Sequence, residues 1–309
     1  MLCSIILNGK PVPTEQSDAV VPWWSFTKSV LAAAALCLVR DGLVTLDDPV
    51  EEGPFTLRQL LKHQAGLADY SELSDYHAAV ADSQAPWPVA EMMGRLDGTR
   101  LRYTPGAAWR YSNVGYLLVA QLIERITGFD IGQALARLVF LPLGLTQVRL
   151  AKTPEDLGVV YSNNVCEYHP GWVYHGLLVG PVSESTRLLN RLLTGQLLPP
   201  VLLQQMQDAI VLGGPMPERP WAAPGYGLGL MIGDTKSGHR LTGHTGVGPG
   251  GVIAVFHCSS GHSVATCSVF GVGGSEGRVE AKALELLLIA SGVDNKVGVV
   301  ENACRESSC

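Results

Sequence analysis

The 309-residue chain lacks several features by which whole classes of protein are recognised. No apolar stretch reaches the roughly 18 to 20 residues that cross a bilayer, so no membrane span is expected. The net charge of −6 is modest and spread along the chain, and the absence of a basic stripe argues against nucleic acid as a partner. The N-terminal segment has neither a basic region nor a small-residue cleavage site. The chain as given is therefore expected to be cytoplasmic, or secreted or periplasmic if a leader was removed.

Metal-binding and disulfide patterns are also missing. The cysteines are odd in number and form no C-x-x-C pair, and the eight histidines form no H-x-x-x-H pair, so neither a metal nor a cofactor is expected. Cys37, Cys258 and Cys267 fall in apolar helical or strand-like segments and are expected to be reduced core residues. The seven cysteines are Cys3, Cys37, Cys166, Cys258, Cys267, Cys304 and Cys309.

What the sequence does have is an apolar, turn-rich composition typical of a globular enzyme-sized domain or two. It is 47% hydrophobic and 16% charged, with 35 Gly and 19 Pro. Strand-like segments lie near both chain ends, and the middle is mainly helical. We therefore predict an α/β (α+β) fold: an antiparallel sheet built from residues 1–54 and 222–309 and flanked by helices, with a mainly helical domain at 55–221.

Capping and turn residues set most of the predicted boundaries. Thr56 is a predicted N-cap, and a strongly periodic helix over Asn113–Thr127 is predicted to end at Gly128. The remaining predicted elements are strands at residues 3–7, 19–24, 226–233, 239–243, 251–258 and 263–272, and helices at residues 183–193 and 278–290.

Ser25 and Lys28 open a long apolar run and are the most informative pair in the chain. If Ser25 begins a helix, residues i and i+3 lie on one face, which brings an amine within hydrogen-bond reach of a serine hydroxyl. A neighbouring base of this kind can activate a serine without a histidine. The run from residue 29 to 39 predicts a helix buried on every side, which would hold the pair at the centre of the protein.

Two further polar clusters accompany this pair. Tyr111 and Asn113 lie just before the periodic helix, and His244-Thr245-Gly246 ends a predicted strand. Taken singly, such a tyrosine is usually a boundary residue and such a tripeptide is usually a turn. Taken together, the order S-x-x-K, Y-x-N, H-x-G resembles the serine β-lactamase and penicillin-binding-protein-like hydrolases. The likeness is closest to the class C β-lactamase branch, which includes esterases of this fold and D-stereospecific aminopeptidases. It extends to residues 60–67 (LLKHQAGL), 103–106 (YTPG) and 226–230 (YGLGL).

The resemblance implies an active site in a cleft between the two domains, with Ser25 as the nucleophile. Lys28 and Tyr111 would form a coupled pair that acts as the base, with the cation favouring a phenolate. The backbone N–H groups of Ser25 and Val247 would form the oxyanion hole. The substrate-binding residues implied are Asn113, whose amide would meet the acyl side, His244, which would face a polar or carboxylate end, Thr245 and Gly246.

His244 stands where β-lactamases commonly have lysine, and a histidine is mostly neutral at pH 7. The expected substrate is therefore a small ester or amide, with esters preferred and a β-lactam as a possible case. The alternatives are β-lactamase activity, D-amino-acid or DD-peptidase activity, and a non-catalytic scaffold or binding protein that keeps the fold.

A rival serine lies at Ser275, in the G-x-S-x-G sequence of residues 273–277. A nucleophile elbow of that kind needs an acid and then a histidine later in the chain. The last histidine is His262, so nothing after Ser275 completes a triad, and we interpret the segment as a strand-to-helix turn.

Overall fold

The computed structural model describes residues 1–158, 160–161, 168–261 and 263–292. Within them the strands are β1 (Leu2–Leu7), β2 (Lys10–Val12), β3 (Val20–Pro22), β4 (Arg149–Ala151), β5 (Leu177–Pro181), β6 (Ile210–Val211), β7 (Trp221–Tyr226), β8 (Met231–Thr235), β9 (Arg240–Gly248), β10 (Gly251–Ser260) and β11 (Ser263–Gly271). Eight of them form an antiparallel sheet in the order β2-β1-β11-β10-β9-β8-β7-β6, and β3-β5-β4 form a second sheet.

The α-helices of the described residues are α1 (Thr27–Arg40), α2 (Leu57–Leu61), α3 (Ser74–Ala81), α4 (Val89–Leu96), α5 (Asn113–Thr127), α6 (Ile131–Leu135), α7 (Val182–Leu193), α8 (Pro200–Gln207) and α9 (Glu276–Ala290). Short 3₁₀ segments join some of them, and one of these, Trp24–Phe26, leads directly into α1. The predicted class, an antiparallel sheet flanked by helices, is confirmed.

The large sheet is buried on both faces at its centre, where residues 251–256 of β10 are all buried and apolar. Side chains of a strand alternate between faces, and β10 divides its residues accordingly. Val252 and Phe256 pack with α9, whereas Ile253 and Val255 pack into the core that contains α1. Helix α7, which lies in the predicted helical domain, packs on β1 and β11. The division into two domains stays a prediction.

Helix α1 forms the centre of the larger core. Every residue from Thr27 to Leu38 is buried, as the unbroken apolar run predicts. The cysteines Cys37, Cys258 and Cys267 are free and buried, also as predicted. The head of the helix differs from the prediction, because Ser25 lies in the 3₁₀ segment before α1 and not in the helix itself.

Caps explain which boundaries the sequence predicts well. Ser112 accepts a hydrogen bond from the Gly115 N–H and Gly128 takes a left-handed φ of 69°, so α5 has the predicted bounds. Thr56 forms the predicted cap of α2. The prediction of one strand over 226–233 is wrong, since β7 and β8 are separated there by a tight turn containing Gly229 at φ 72°. A Cβ on Gly229 would lie 2.4 Å from that of Ala32, so the turn packs directly on α1.

Candidate active site

A cavity of about 610 Å³ lies where α1, the loop before α5 and strand β9 meet. The structure brings the three predicted motifs together around it. Ser25 lies on its wall, and Lys28 lies immediately behind Ser25. The other predicted site residues on the wall are Tyr111, Asn113, His244, Thr245 and Val247.

The backbone around Ser25 is unusual. Trp24, directly before it, is 3% exposed and has a φ of 42°, a left-handed conformation that is uncommon for residues with a side chain. Conformations of this kind cost on the order of 1–3 kcal/mol and persist where the surroundings impose them, often at functional sites. The strained residue thus presents Ser25 to the cavity at the point where the chain enters α1.

Lys28 is fully buried, and its amine contacts three groups. The distances from Nζ are 3.2 Å to Ser25 Oγ, 2.7 Å to Asn113 Oδ1 and 3.1 Å to His175 Nε2. Burial lowers the pKa of Lys28 from its ordinary value to about 7, and the nearby Asp69 carboxylate partly opposes this shift. A substantial share of the amine is therefore neutral near pH 7, which is the state that can accept a proton.

Tyr111 donates a hydrogen bond to Ser25 Oγ at 2.9 Å. Burial raises the pKa of its phenol well above the usual value, and Tyr226 adds to this effect. The Lys28 amine lies over the Tyr111 ring, 5.0 Å from its centre. The expected phenolate is therefore not supported: the cation contacts the ring, and burial keeps the phenol protonated.

Asn113 does not offer its amide to the cavity as expected. Its Oδ1 accepts from Lys28, and its Nδ2 donates to both oxygens of Asp69, at 3.0 and 3.1 Å. Both ends of the side chain are thus bonded within the protein. Asn113 links the Lys28 amine to a buried carboxylate, a role that the sequence motif alone does not reveal.

His244 also differs from its expected role. Its Nδ1 lies 2.7 Å from the carbonyl oxygen of Thr245, which can only accept, so Nδ1 carries the proton. Its Nε2 then accepts from the Tyr226 hydroxyl at 3.0 Å. Burial lowers the pKa of His244 to about 3. The imidazole is thus neutral with both nitrogens engaged, and it supplies neither a cation nor a donor for a carboxylate.

The Thr245 hydroxyl donates to Glu280 Oε1 at 2.5 Å, so its proton is directed at α9. Glu280 is fully buried on α9. Besides the Thr245 hydroxyl, its carboxylate accepts hydrogen bonds from Trp221 Nε1 and from the guanidinium of Arg219, which contacts both oxygens. Because the hydroxyl proton is directed at Glu280, Thr245 can present only oxygen lone pairs to the cavity.

Gly246 makes room for the segment that carries the nucleophile, and its role in substrate binding stays a prediction. A Cβ at this position would lie 2.6 Å from the carbonyl oxygen of Trp23 and 2.8 Å from the backbone nitrogen of Ser25. Strand β9 can therefore approach the Trp24–Phe26 segment closely only with glycine at 246.

Val247 is the next residue of β9, and the alternation of N–H groups along the strand gives the direction of its N–H. The Thr245 N–H points away from β10, toward the sulfur of Met231 at 3.4 Å. N–H groups of alternate strand residues point the same way, so the Val247 N–H also faces away from β10, on the side of the cavity that Val247 lines.

Two buried histidines at the site were not identified as functional from the sequence. His63 stacks on Tyr111, with 4.3 Å between ring centres, and its Nδ1 accepts from the Ser112 N–H at 3.1 Å. His175 contacts Lys28 directly. Burial lowers the pKa of both. His63 lies in the family-like segment 60–67, whereas no motif marks His175.

Ser275 lies outside the cavity lining. It is exposed, and its Oγ accepts from the Arg278 N–H as the N-cap of α9. Among the described residues no group of three His, Cys, Asp or Glu side chains is placed to hold a metal ion. The helices of the same residues include none that is long and apolar enough to cross a membrane.

Comparison with known proteins shows a family relationship over most of the chain. The β-lactamase family model matches residues 4–273. The D-aminopeptidase of Brucella anthropi is 27% identical over 295 residues, which cover 90% of this chain and 54% of the relative; that of Brucella ovis is 26% identical over 83% and 49%. The chain thus spans about half the length of the curated relatives it matches.

Solved structures share the fold. The D-amino acid amidase from Ochrobactrum anthropi SV3, complexed with L-phenylalanine, aligns with a TM-score of 0.76 and 22% identity over 96% of this chain and 93% of its own. The penicillin-binding protein homologue from Pyrococcus abyssi aligns at 0.72 and 20%, over 98% and 74%.

Proposed function

Since the chain belongs to the β-lactamase family, we propose that it is a serine hydrolase for amides of amino acids with a free amino group. The bond cleaved would be that of a small amino-acid amide or of the first residue of a short peptide. The D configuration is proposed from the names of the relatives, a D-aminopeptidase and a D-amino acid amidase.

The observation that carries the proposal is the direction of the Thr245 hydroxyl. It donates to Glu280, so its free lone pairs suit a substrate donor such as an ammonium group and not a carboxylate. His244 adds no cation, because its nitrogens are bonded to Tyr226 and to the Thr245 carbonyl. The carboxylate of a β-lactam or of a peptide C-terminus would therefore find neither a cation nor a hydrogen-bond donor among His244 and the Thr245 hydroxyl.

The charges on the cavity wall support the same substrate class. Two acidic side chains, Asp69 and Glu276, line it, and the guanidinium of Arg219 is already paired with Glu276 and Glu280. Burial raises the pKa of Glu276, and Arg219 only partly opposes this. A substrate ammonium beside Glu276 would stabilise its ionised form, and the interaction would favour binding.

The remaining wall is apolar and aromatic, and its larger side chains include Trp24, Tyr76 and Tyr168. A surface of this kind buries a hydrophobic or aromatic substrate side chain. We therefore expect amides of phenylalanine or leucine to be better substrates than those of alanine.

The proposed reaction begins with the neutral Lys28 amine, which accepts the Ser25 proton over 3.2 Å as Oγ attacks the amide carbon. The N–H groups of Ser25 and Val247 would stabilise the oxyanion. Tyr111, kept protonated by burial, would donate its proton to the leaving nitrogen. The proton that Lys28 took from Ser25 would then pass to the Tyr111 oxygen. A water molecule then hydrolyses the acyl-enzyme by the reverse sequence of proton transfers.

The test compares matched substrates with the purified protein. We expect kcat/KM for D-phenylalanine amide to exceed that for its N-acetyl derivative by at least about a hundredfold, since acetylation removes the positive charge of the amino group. We also expect it to exceed that for the L enantiomer and for the chromogenic cephalosporin nitrocefin. Equal rates on the acetylated amide, or a higher rate on nitrocefin, would contradict the proposed substrate class. Ester turnover remains a prediction for the same panel.

The Glu276→Gln variant locates the ammonium site. It should raise KM for D-phenylalanine amide by about tenfold and leave KM for a p-nitrophenyl ester without an amino group unchanged. Ser25→Ala is the control for background hydrolysis.

A further inference from the structure

His175 is a buried histidine whose only polar contact among the described side chains is with the Lys28 amine. We propose that His175 is a positioning residue that directs the lone pair of Lys28 at Ser25. The inference rests on the proposed acyl-enzyme chemistry and is independent of the substrate class.

The geometry of an amine explains why a third contact matters. Besides its bond to carbon, Lys28 Nζ has three directions in which it can form a hydrogen bond. The three partners Ser25, Asn113 and His175 lie at 2.7 to 3.2 Å. As an ammonium group, the amine donates one hydrogen bond to each of them. All three N–H groups of the ammonium form are therefore hydrogen-bonded within the protein before the reaction starts.

As a neutral amine, Lys28 has two N–H groups and one lone pair. Asn113 Oδ1 can only accept, and its orientation is fixed because the other end of that side chain donates to Asp69. If His175 Nε2 is the second acceptor, the lone pair is left facing Ser25 Oγ. Without that acceptor the second N–H can turn toward Ser25, and the amine would then donate to the hydroxyl that it must deprotonate.

The tautomer of His175 follows from the same contact. A lysine ammonium group has no lone pair, so Nε2 must be the unprotonated nitrogen and the proton lies on Nδ1. Nδ1 is buried and has no hydrogen-bond partner in the structure. Buried groups left unpaired are rare and are often retained for function. The Nδ1–H of His175 is thus left without a hydrogen bond, while Nε2 accepts one from Lys28.

The loop that carries His175 is held rigidly. Gly176 has a φ of 93° and donates to the carbonyl oxygen of Val173 at 2.7 Å, so the chain turns sharply at the histidine. On either side, the Trp172 indole donates to Gln84 and the Tyr174 hydroxyl donates to Trp87. The imidazole is therefore fixed against Lys28 by contacts on both flanks.

Other titratable groups also surround the amine and contribute to its pKa environment. They are Asp69, His63, His244, Tyr111 and Tyr116. Among them Asp69 is the acidic residue, and it does not touch Nζ directly, because Asn113 lies between them.

Two variants with the same amide group test the proposal. In His175→Gln the side-chain oxygen can occupy the place of Nε2, whereas in His175→Asn it is one methylene shorter and does not reach Lys28. The readout is the pre-steady-state burst of p-nitrophenyl acetate against pH, which reports acylation without a substrate ammonium. We expect the Asn variant to lower the limiting rate at least about thirtyfold and to move the acidic limb to lower pH, because the ammonium loses an acceptor. The limiting rate of the Gln variant should stay within about fivefold of the wild-type rate, and its acidic limb should stay at the wild-type pH.

His257→Asn is the matched control, since His257 is a half-buried sheet histidine that is bonded to Thr266 and does not line the cavity. It should change neither rate nor limb. Equal rates for the Asn and Gln variants, or an unmoved limb in the Asn variant, would overturn the proposal. Failure of a fluorophosphonate to label Ser25 in the wild-type protein would instead refute the acyl-enzyme itself, because that label does not depend on slow deacylation. If the Asn variant does not fold, ¹⁵N NMR of the wild-type histidines decides: an Nδ1-protonated His175 supports the proposal, and an Nε2-protonated one overturns it.

Discussion

Replacing Asp69 by Asn tests whether Lys28 is the group whose loss of a proton starts the reaction. The Asp69 carboxylate raises the pKa of Lys28 against the larger effect of burial. Asp69 reaches the amine through Asn113 and also accepts from the Ser71 N–H at 3.2 Å. In the variant a single side-chain oxygen can accept from both donors, so the change removes the charge and keeps most of the geometry.

The size of the effect follows from the separation of the charges. With one carboxamide between them, the Asp69 oxygens and Lys28 Nζ lie on the order of 7 Å apart, and at an effective dielectric constant near 20 such a pair is worth roughly 2 kcal/mol. Screening at the cavity wall reduces this to about 1 kcal/mol, or somewhat less than one pKa unit. Loss of the negative charge destabilises the ammonium, so the pKa of Lys28 falls below its value of about 7. The acidic limb of kcat/KM therefore moves to lower pH.

The assay is hydrolysis of p-nitrophenyl acetate from about pH 5 to pH 9, because this ester has no group that titrates there. Glu276→Gln is the matched control: it removes another carboxylate from the same cavity, but one that pairs with Arg219. Its acidic limb should coincide with that of the wild type. A limb that stays in place or moves upward in Asp69→Asn would refute the assignment of the titrating group to Lys28.

Three further predictions concern the nucleophile, the close approach of β9 and the buried carboxylate. Ser25→Ala should abolish labelling by a fluorophosphonate, whereas Ser275→Ala should keep turnover within about twofold and lose about 1 kcal/mol of unfolding free energy as a lost cap; an adduct on Ser275 in mass spectra would contradict this. Gly246→Ala places a Cβ 2.8 Å from the Ser25 nitrogen and should lower kcat at least about a hundredfold, while Gly94→Ala, in open space on α4, should leave kcat unchanged. Glu280→Gln leaves the mostly buried Arg219 guanidinium with Glu276, at 3.4 Å, as its remaining carboxylate, and should lower the unfolding free energy by about 3 kcal/mol in urea titrations; an unchanged midpoint would count against it.

The sequence predicts well what depends on local spacing. The spacing of three positions from Ser25 to Lys28, the cap at Ser112 and the glycine at 128 act over one or two turns of chain, and the structure has the expected contacts and bounds there. The apolar run after Lys28 likewise predicts a buried helix, because no face of it is polar.

What the sequence does not predict depends on contacts between distant segments. His175 reaches Lys28 across 147 positions through a loop whose turn is set at Gly176. The orientation of Thr245 depends on Glu280, on a helix 35 positions later. The turn at Gly229 divides a segment that alternates like one strand, and this turn lies against α1. No local pattern records these partners.

The pairing of β1 with β11 has a consequence for synthesis of the chain. β1 is synthesised long before its partner, because Leu2–Leu7 pairs in register with residues 265–270. At about 5–20 residues per second, translation leaves this apolar strand without its main partner for on the order of 10 to 50 s. Five of its six residues are buried in the finished protein. The nascent chain therefore exposes an unpaired apolar strand edge until β11 has been synthesised, and its yield in cells should depend on chaperones that hold extended apolar segments during that interval.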